Sequence, residues 1–307
     1  MLKRILIILA VFLIGGPVSA RINYRVQADI NTDASIADSV VQVAQVRLNH
    51  LIEDFAVDSL DIFIVSSHRK FDSLAGNSIP DWGVGVAIPY RHRIVIKSPL
   101  ITPGDKSLGE LTAHELAHIV LSNAVGFRKV PRWFDEGLAM YISTEWSWSD
   151  NLATAWAVVL GGMIPLDDIE RLNRFEGEMV RVAYSESFLA FKYFIETYGR
   201  SGLNIFLDRI REGRSIDEAF IHATGADHEK FQAEFKIYLS GRYNLIALIF
   251  DSNLLWIILG LIVIIGFIIA RLNRKRRIRQ LEEYDMLHST DYDYGEVEKP
   301  DEDKPWD

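Results

Sequence analysis

The stretch Thr112-Ala113-His114-Glu115-Leu116-Ala117-His118 restricts the fold of this chain more than any other. Ser107 followed three residues later by Glu110 reads as a capping box, so a helix is expected from about residue 108. Within it Leu111, Leu116, Ile119, Val120 and Leu121 point in several directions, and a helix that is apolar nearly all round is a buried one. Its imidazoles and carboxylate would then need partners inside the protein. His114 and His118, four residues apart, project from nearly the same face, while Glu115 lies about 100° round the helix. That spacing lets two imidazoles share one metal ion; two core histidines satisfied by hydrogen bonds are the other reading. Catalytic zinc usually takes three protein ligands and a water, so one ligand remains to be found. Glu136, in the P-R-W-F-D-E-G-L-A run at 131–139, is the candidate.

Composition narrows the alternatives. The chain of 307 residues contains no cysteine, which leaves His and carboxylate as its strong metal ligands and excludes disulfides. A formal charge of −9 argues against a nucleic-acid partner. With 49% hydrophobic and 24% charged residues there is room for one sizeable globular domain plus attachments.

The helix H-E-L-A-H, a short connection and then P-R-W-F-D-E-G-L-A-M-Y together resemble the gluzincins, the thermolysin and aminopeptidase N group of zinc peptidases. The E-G-L-A-M-Y run looks like the third-ligand segment of aminopeptidase N-like enzymes and of the smaller bacterial peptidase MA-like domains. The likeness extends from about residue 55 to about 240, through A-Y-S-E-S-F at 183–188, Tyr198-Gly199 and the tail segments with Glu218-Ala219 and Thr224-Gly225. It implies one Zn²⁺ per chain held by His114, His118 and Glu136, with Glu115 as general base. It also implies a tyrosine donor to the developing oxyanion, for which Tyr184 is the candidate and Tyr141 the competitor. Two positions depart from the pattern. Thermolysin-like enzymes place an Asp four residues after the ligand Glu, where this chain has Met140. Aminopeptidase N-like enzymes bind a free α-amine through a Glu on an upstream strand, and the corresponding G-V-G-V-A-I-P at 83–89 carries no acid. The resemblance therefore implies an endopeptidase, acting on a peptide or protein substrate.

Residues 1–20 read as a secretory signal: Lys3 and Arg4, an apolar run, then Val18-Ser19-Ala20 as a cleavage site. A helical pattern is expected over 33–55 from Ile36, Val40, Val41, Val43, Leu48, Leu51 and Ile52, followed by strands at 60–65, 83–88 and 93–96. Such a sheet ahead of the H-E-x-x-H helix could hold an extended substrate by edge pairing. His68 and His92 sit near these strands and are read as solvated loop residues. After the Glu136 helix, Trp146 and Trp148 are read as packing residues, with helices expected at 151–160, 177–198, 201–212, 215–223 and 226–240, and stops at Gly213 and Gly225. The expected fold is α+β: a small N-terminal sheet with the H-E-x-x-H helix, then a mainly helical half.

Residues 254–270 hold no charge over 17 residues, about 25 Å of helix, which is at the short end for a transmembrane span. Arg271, Arg274, Lys275, Arg276, Arg277 and Arg279 follow at once, a cluster that stays on the cytoplasmic side. The acidic residues 281–307 read as a disordered tail. The expected organisation is a signal at 1–20, an extracytoplasmic domain at 21–245, a span at 254–270 and a cytoplasmic stretch at 271–307. The resemblance makes the domain a membrane-anchored metallopeptidase. The competing reading is a catalytically silent zinc-containing binding or regulatory module of a membrane complex. The topology can be tested directly: a reporter fused after Arg279 should behave as cytoplasmic and one fused near residue 240 as exported, and the reverse pattern would remove the extracytoplasmic domain.

Overall fold

The computed structural model describes residues 21–76, 83–102, 106–144, 163–174, 178–242 and 252–287. The signal expected at 1–20, Trp146 and Trp148, the helix expected at 151–160 and the tail from 288 lie outside the described residues. The chain divides into two compact units, Met1–Leu245 and Ile246–Asp307.

The first unit is α+β, as expected. It opens with β1 (Ile22–Ala28), α1 (Asn31–Leu51), β2 (Val57–Val65), α2 (His68–Ala75), β3 (Gly85–Ile88) and β4 (Arg93–Lys97). The four strands form one sheet in the order β1-β2-β4-β3, with β1, β2 and β4 parallel and β3 antiparallel to β4. Strand β1 and helix α2 go beyond the sequence expectation. In β1 the residues after Ile22 alternate between exposed and half-buried, so polar Asn23, Arg25 and Gln27 hide the strand pattern. In α1 the inner face is Ala37, Val41, Ala44 and Leu48, whereas Ile36 and Val43, expected on the apolar face, are exposed. The small inner residues let α1 lie close to the next long helix, where a Cβ at Gly109 would meet Val40 at 3.2 Å.

That helix is α3 (Leu108–Ala124), buried all round, and its capping box forms as read: Ser107 Oγ accepts from Glu110 N at 3.1 Å and Glu110 Oε2 accepts from Ser107 N at 2.6 Å. Helix α4 (Arg132–Ser143) follows, then α5 (Glu178–Arg211), α6 (Ile216–Thr224) and α7 (His228–Arg242). Helix α5 is two helices joined at Gly199, whose φ of 65° and ψ of −170° only glycine tolerates easily. Gly225, at φ 79°, ends α6 as a left-handed cap. Trp133 and Phe134 of α4 pack with Phe191, Phe194, Phe206, Phe220 and Phe231 into one aromatic core joining α4 to the later helices. Each such fully buried ring stabilises the fold by roughly 1.5–3 kcal/mol. Helix α4 approaches α5 so closely that a Cβ at Gly137 would stand 2.3 Å from the Ser187 carbonyl oxygen, which fixes glycine directly after Glu136.

The second unit contains α8 (Ser252–Leu287), which holds a segment long and apolar enough to cross a membrane. Its 36 residues span about 54 Å at 1.5 Å each, against a hydrocarbon core of about 30 Å. The helix thus runs through the basic cluster, and residues 281–287, expected to be disordered, are helical. Arg, Lys, Leu, Gln and Glu without Gly or Pro favour continuation of a helix already nucleated by the apolar run.

One buried acid of the first unit sets a pH dependence. Glu186 on α5 has no exposed surface, and its carboxylate oxygens accept from Ile164 N at 3.0 and 3.2 Å. Burial, opposed by this one backbone bond, pushes its carboxyl from the ordinary 4.5 up to about 8. Between those pH values the folded state keeps a proton that the unfolded chain has released, so stability is highest below about pH 4.5 and falls as pH rises to about 8. Glu186→Gln keeps an acceptor for Ile164 and cannot ionise. It should match the wild type near pH 5 and exceed it by roughly 3–5 kcal/mol near pH 9 in urea unfolding. A difference independent of pH would mean that Glu186 is already ionised in the fold.

Candidate metal centre

His114 and His118 stand one turn apart on α3 with ring centroids 4.9 Å from each other and the rings nearly perpendicular. Helix α4 brings Glu136 against both: its Oε2 is 3.5 Å from His114 Nε2 and 3.8 Å from His118 Nε2. One ligand atom from each residue lies within 4.8 Å of the other two. Bonds of about 2.0–2.2 Å to a tetrahedral ion would place ligand atoms roughly 3.3–3.5 Å apart, so the set needs only a small contraction to hold a metal. His114 and Glu136 are each 7% exposed, and the buried Glu136 Oε2 accepts no hydrogen bond among the described residues. Such an oxygen is destabilising unless a cation faces it, and a metal ion would supply one.

The electrostatics favour charge in this pocket. Burial alone would raise the Glu136 carboxyl, but His114, His118 and Arg132 outweigh it and hold the group at about 2. Arg132 Nε stands 3.5 Å from Glu136 Oε1, one helical turn earlier on α4. Burial likewise opposes charge on His118, yet Asp135 pushes its pKa up to about 9. A metal would therefore displace a proton from His118 on binding.

Asp135 was not among the residues singled out in the sequence. Its Oδ1 lies 2.5 Å from His118 Nδ1, so the imidazole donates its Nδ1–H to the carboxylate and turns Nε2 toward Glu136. An acid directly before Glu136 was the available signal. Position 140, where thermolysin-like enzymes carry an Asp, is Met140, buried at 5% exposure.

Glu115, also buried, presses against the edge strand. A Cβ at Gly85 would come within 2.8 Å of Glu115 Oε1, and the backbone of Ala87 bonds to the carboxylate. Burial raises the Glu115 carboxyl, Glu136 adds to the rise, and His114 and His118 oppose it.

These groups open onto a cleft of about 710 Å³, bounded on one side by Gly85, Val86 and Ala87 of β3 and on another by the α3–α4 connection. Tyr184 lines this cleft, and Lys106 Nζ lies 5.7 Å from its ring centroid. Tyr141 lines a separate cavity with Arg47, His50 and Phe188 and packs edge-on against Phe191. His68 is exposed and His92 stacks on Phe127, and neither lines the cleft. Glu170, which also borders it, caps α4: it accepts from Arg132 N at 2.7 Å and from Lys129 Nζ at 2.6 Å, where the cap residue Pro131 has no side-chain oxygen to offer.

Among known families, the one described as the Peptidase MA superfamily matches residues 40–241, which is 202 of the 307 residues. No curated protein matches the chain.

The Asp135 contact can be tested apart from catalysis. If the three residues hold zinc, Asp135→Ala should keep the fold, because the residue is partly exposed, and weaken that binding about 10- to 100-fold in a competitive chelator titration. Unchanged affinity would mean that Asp135 does not orient His118.

Proposed function

Because the chain belongs to the peptidase MA superfamily and carries its metallopeptidase-like domain, we propose that it is a membrane-anchored zinc metallopeptidase cleaving extracytoplasmic proteins or peptides. The observation that carries this reading is the meeting of His114, His118 and Glu136, with Glu115 beside them, at the wall of one cleft. His114, His118 and Glu136 would hold the ion, and Asp135 would keep the His118 tautomer that leaves Nε2 unprotonated. Zinc supplies Lewis acidity and lowers the pKa of water there to about 7. Glu115 accepts the proton of the attacking water and passes it to the nitrogen of the departing amine. Its raised proton affinity suits a group that must hold a proton between the two steps. Tyr184 donates its phenolic proton to the developing oxyanion. Its place in the cleft supports it over Tyr141.

Strand β3 supports the substrate side of the reading. It is the sheet's edge, it runs beside α3, and an extended peptide could pair along it across the cleft. The β3 residues Gly85, Val86, Ala87 and Ile88 contain no acid to bind a free α-amine, which favours internal cleavage. The second unit would anchor the enzyme through α8, with the basic cluster on the cytoplasmic side and the domain of residues 21–245 outside.

Glu115→Gln tests the chemistry. Gln is nearly isosteric and Glu115 is not among the proposed ligands, so zinc and fold should persist while turnover falls by about 10²- to 10⁴-fold. Peptides blocked at the N-terminus should be cut at least as well as free ones. Tyr184→Phe should lower kcat more than it alters KM, the pattern of a donor acting in the transition state. Equal processing of envelope proteins by wild type and Glu115→Gln would remove the peptidase reading in favour of a silent binding module.

A further inference from the structure

The connection between α3 and α4, together with the first residue of α4, places three cations on the cleft wall within five residues: Arg128, Lys129 and Arg132. Two of them are matched by carboxylates. Lys129 pairs with Glu170 at 2.6 Å, and Arg132 faces Glu136 at 3.5 Å. Arg128 is different. Among the described residues no carboxylate pairs with it; its Nε instead donates to the Arg211 carbonyl at 3.1 Å.

The surroundings hold this guanidinium in place rather than leave it to sweep through solvent. A Cβ at Gly213 would meet Arg128 Cζ, Nη1 and Nη2 all at 3.2 Å, so the planar group lies flat against Gly213. Gly213 has φ of 87°, which already favours glycine there. On the other side, α3 ends in a left-handed turn at Gly126 and Phe127, with Phe127 N bonded to the Ser122 carbonyl at 2.7 Å and its ring stacked on His92. Arg128 follows directly. With Nε occupied and the face covered, the Nη1–Nη2 end is the part left to bind a ligand, and two parallel N–H groups match the two oxygens of a carboxylate.

We infer that Arg128 is a specificity residue of the cleft, binding a substrate carboxylate supplied by an acidic side chain or by a free C-terminus. The inference rests on the reading of the cleft as a peptide site and adds the chemistry of what it selects. Lys129 and Arg132, already neutralised, contribute less to this preference than Arg128.

The test uses the full chain in detergent micelles, loaded with zinc and carrying Glu115→Gln so that peptides bind without being consumed. Four fluorescent peptides share one sequence: an uncharged C-terminal amide, the same amide with Glu replacing Gln at successive positions, the free C-terminal acid, and the amide with Lys at those positions. A carboxylate-bearing peptide should bind about 10- to 100-fold more tightly than the uncharged amide, as expected for a charge-assisted pair. Whether the Glu or the free-acid arm shows the gain identifies the source of the carboxylate. Adding Arg128→Glu should abolish the gain and shift preference toward the Lys peptide, while Arg128→Lys should retain part of it, which a merely structural role would not produce. Equal binding of all four peptides, or a carboxylate preference that survives Arg128→Glu, overturns the inference. Cleavage by the enzyme with Glu115 intact is measured separately. Discrimination without any cleavage would remove the peptidase reading and leave Arg128 its role, whereas cleavage without discrimination would do the reverse.

Discussion

Placing two imidazoles and two carboxylates at the junction of α3 and α4 is the constraint on which the rest of the first unit depends. An ionised group taken out of water is destabilising by several kcal/mol unless opposite charge and hydrogen bonds meet it. The contacts found here are of that kind: Asp135 on His118, Arg132 beside Glu136, and the Ala87 backbone on Glu115. They oppose the penalty of burial without removing it, since Glu136 Oε2 is still left without a hydrogen bond among the described residues. The apolar remainder of α3 and the aromatic core around Trp133 and Phe134 keep the helices in place against that penalty. A bound cation would reverse its sign by giving the imidazole and carboxylate lone pairs a common partner.

Two glycines set the distances in this arrangement. Gly85 lets β3 come against Glu115, and Gly137 lets α4 come against the Ser187 backbone. In both places a methyl group would fall inside van der Waals contact: at Gly137 it would meet the Ser187 backbone, so α4 and α5 would have to part, whereas at Gly85 it would meet the Glu115 side chain. At Gly85 the Glu115 carboxylate would be displaced from its place against the strand. Parting of the helices at Gly137 would shift Glu136 relative to the two histidines. The positions of the chemical groups thus follow from backbone approach, which the presence of glycine beside an acid permits and the aromatic core then fixes.

Much of this was legible in the residues. The capping box at Ser107 and Glu110, the all-round apolar face of α3 and the four-residue spacing of His114 and His118 are local signals, and local hydrogen bonds and periodicity decide them. Glu136 could be singled out because its segment resembles a known one, but its approach to the imidazoles depends on how α4 packs, which no spacing specifies. What stayed hidden was non-local or disguised. Strand β1 is masked by polar alternation, and α1 turns alanines inward where larger apolar residues had suggested the buried face. Asp135 was overlooked because its role depends on the angle between α3 and α4. Glu170, far along the chain, supplies the cap that Pro131 lacks. The helical course of residues 281–287 was hidden because their acidic composition reads as a disordered tail, whereas Leu, Glu and Met are good helix formers and no Gly or Pro interrupts the run from the apolar segment.

The seven residues 125–131 that join α3 to α4 carry two tasks at once. They are the only covalent path between the histidine helix and the helix of Glu136, so their turn at Gly126 and Phe127 fixes where the carboxylate meets the imidazoles. Four of them, Val125, Arg128, Lys129 and Val130, also line the cleft. Loops elsewhere in a fold can exchange residues with little effect on distant geometry. Here a change that altered the course of the turn would move Glu136 as well as Arg128, and would be felt as lost metal affinity. On the proposed reading, substitutions that keep the turn and alter only the outward side chains are the ones that would retune selectivity without loosening the metal centre. Arg128, held by the Arg211 carbonyl and the flat face of Gly213, is placed to vary in that way, whereas Arg132, bound to the electrostatics of Glu136, is not.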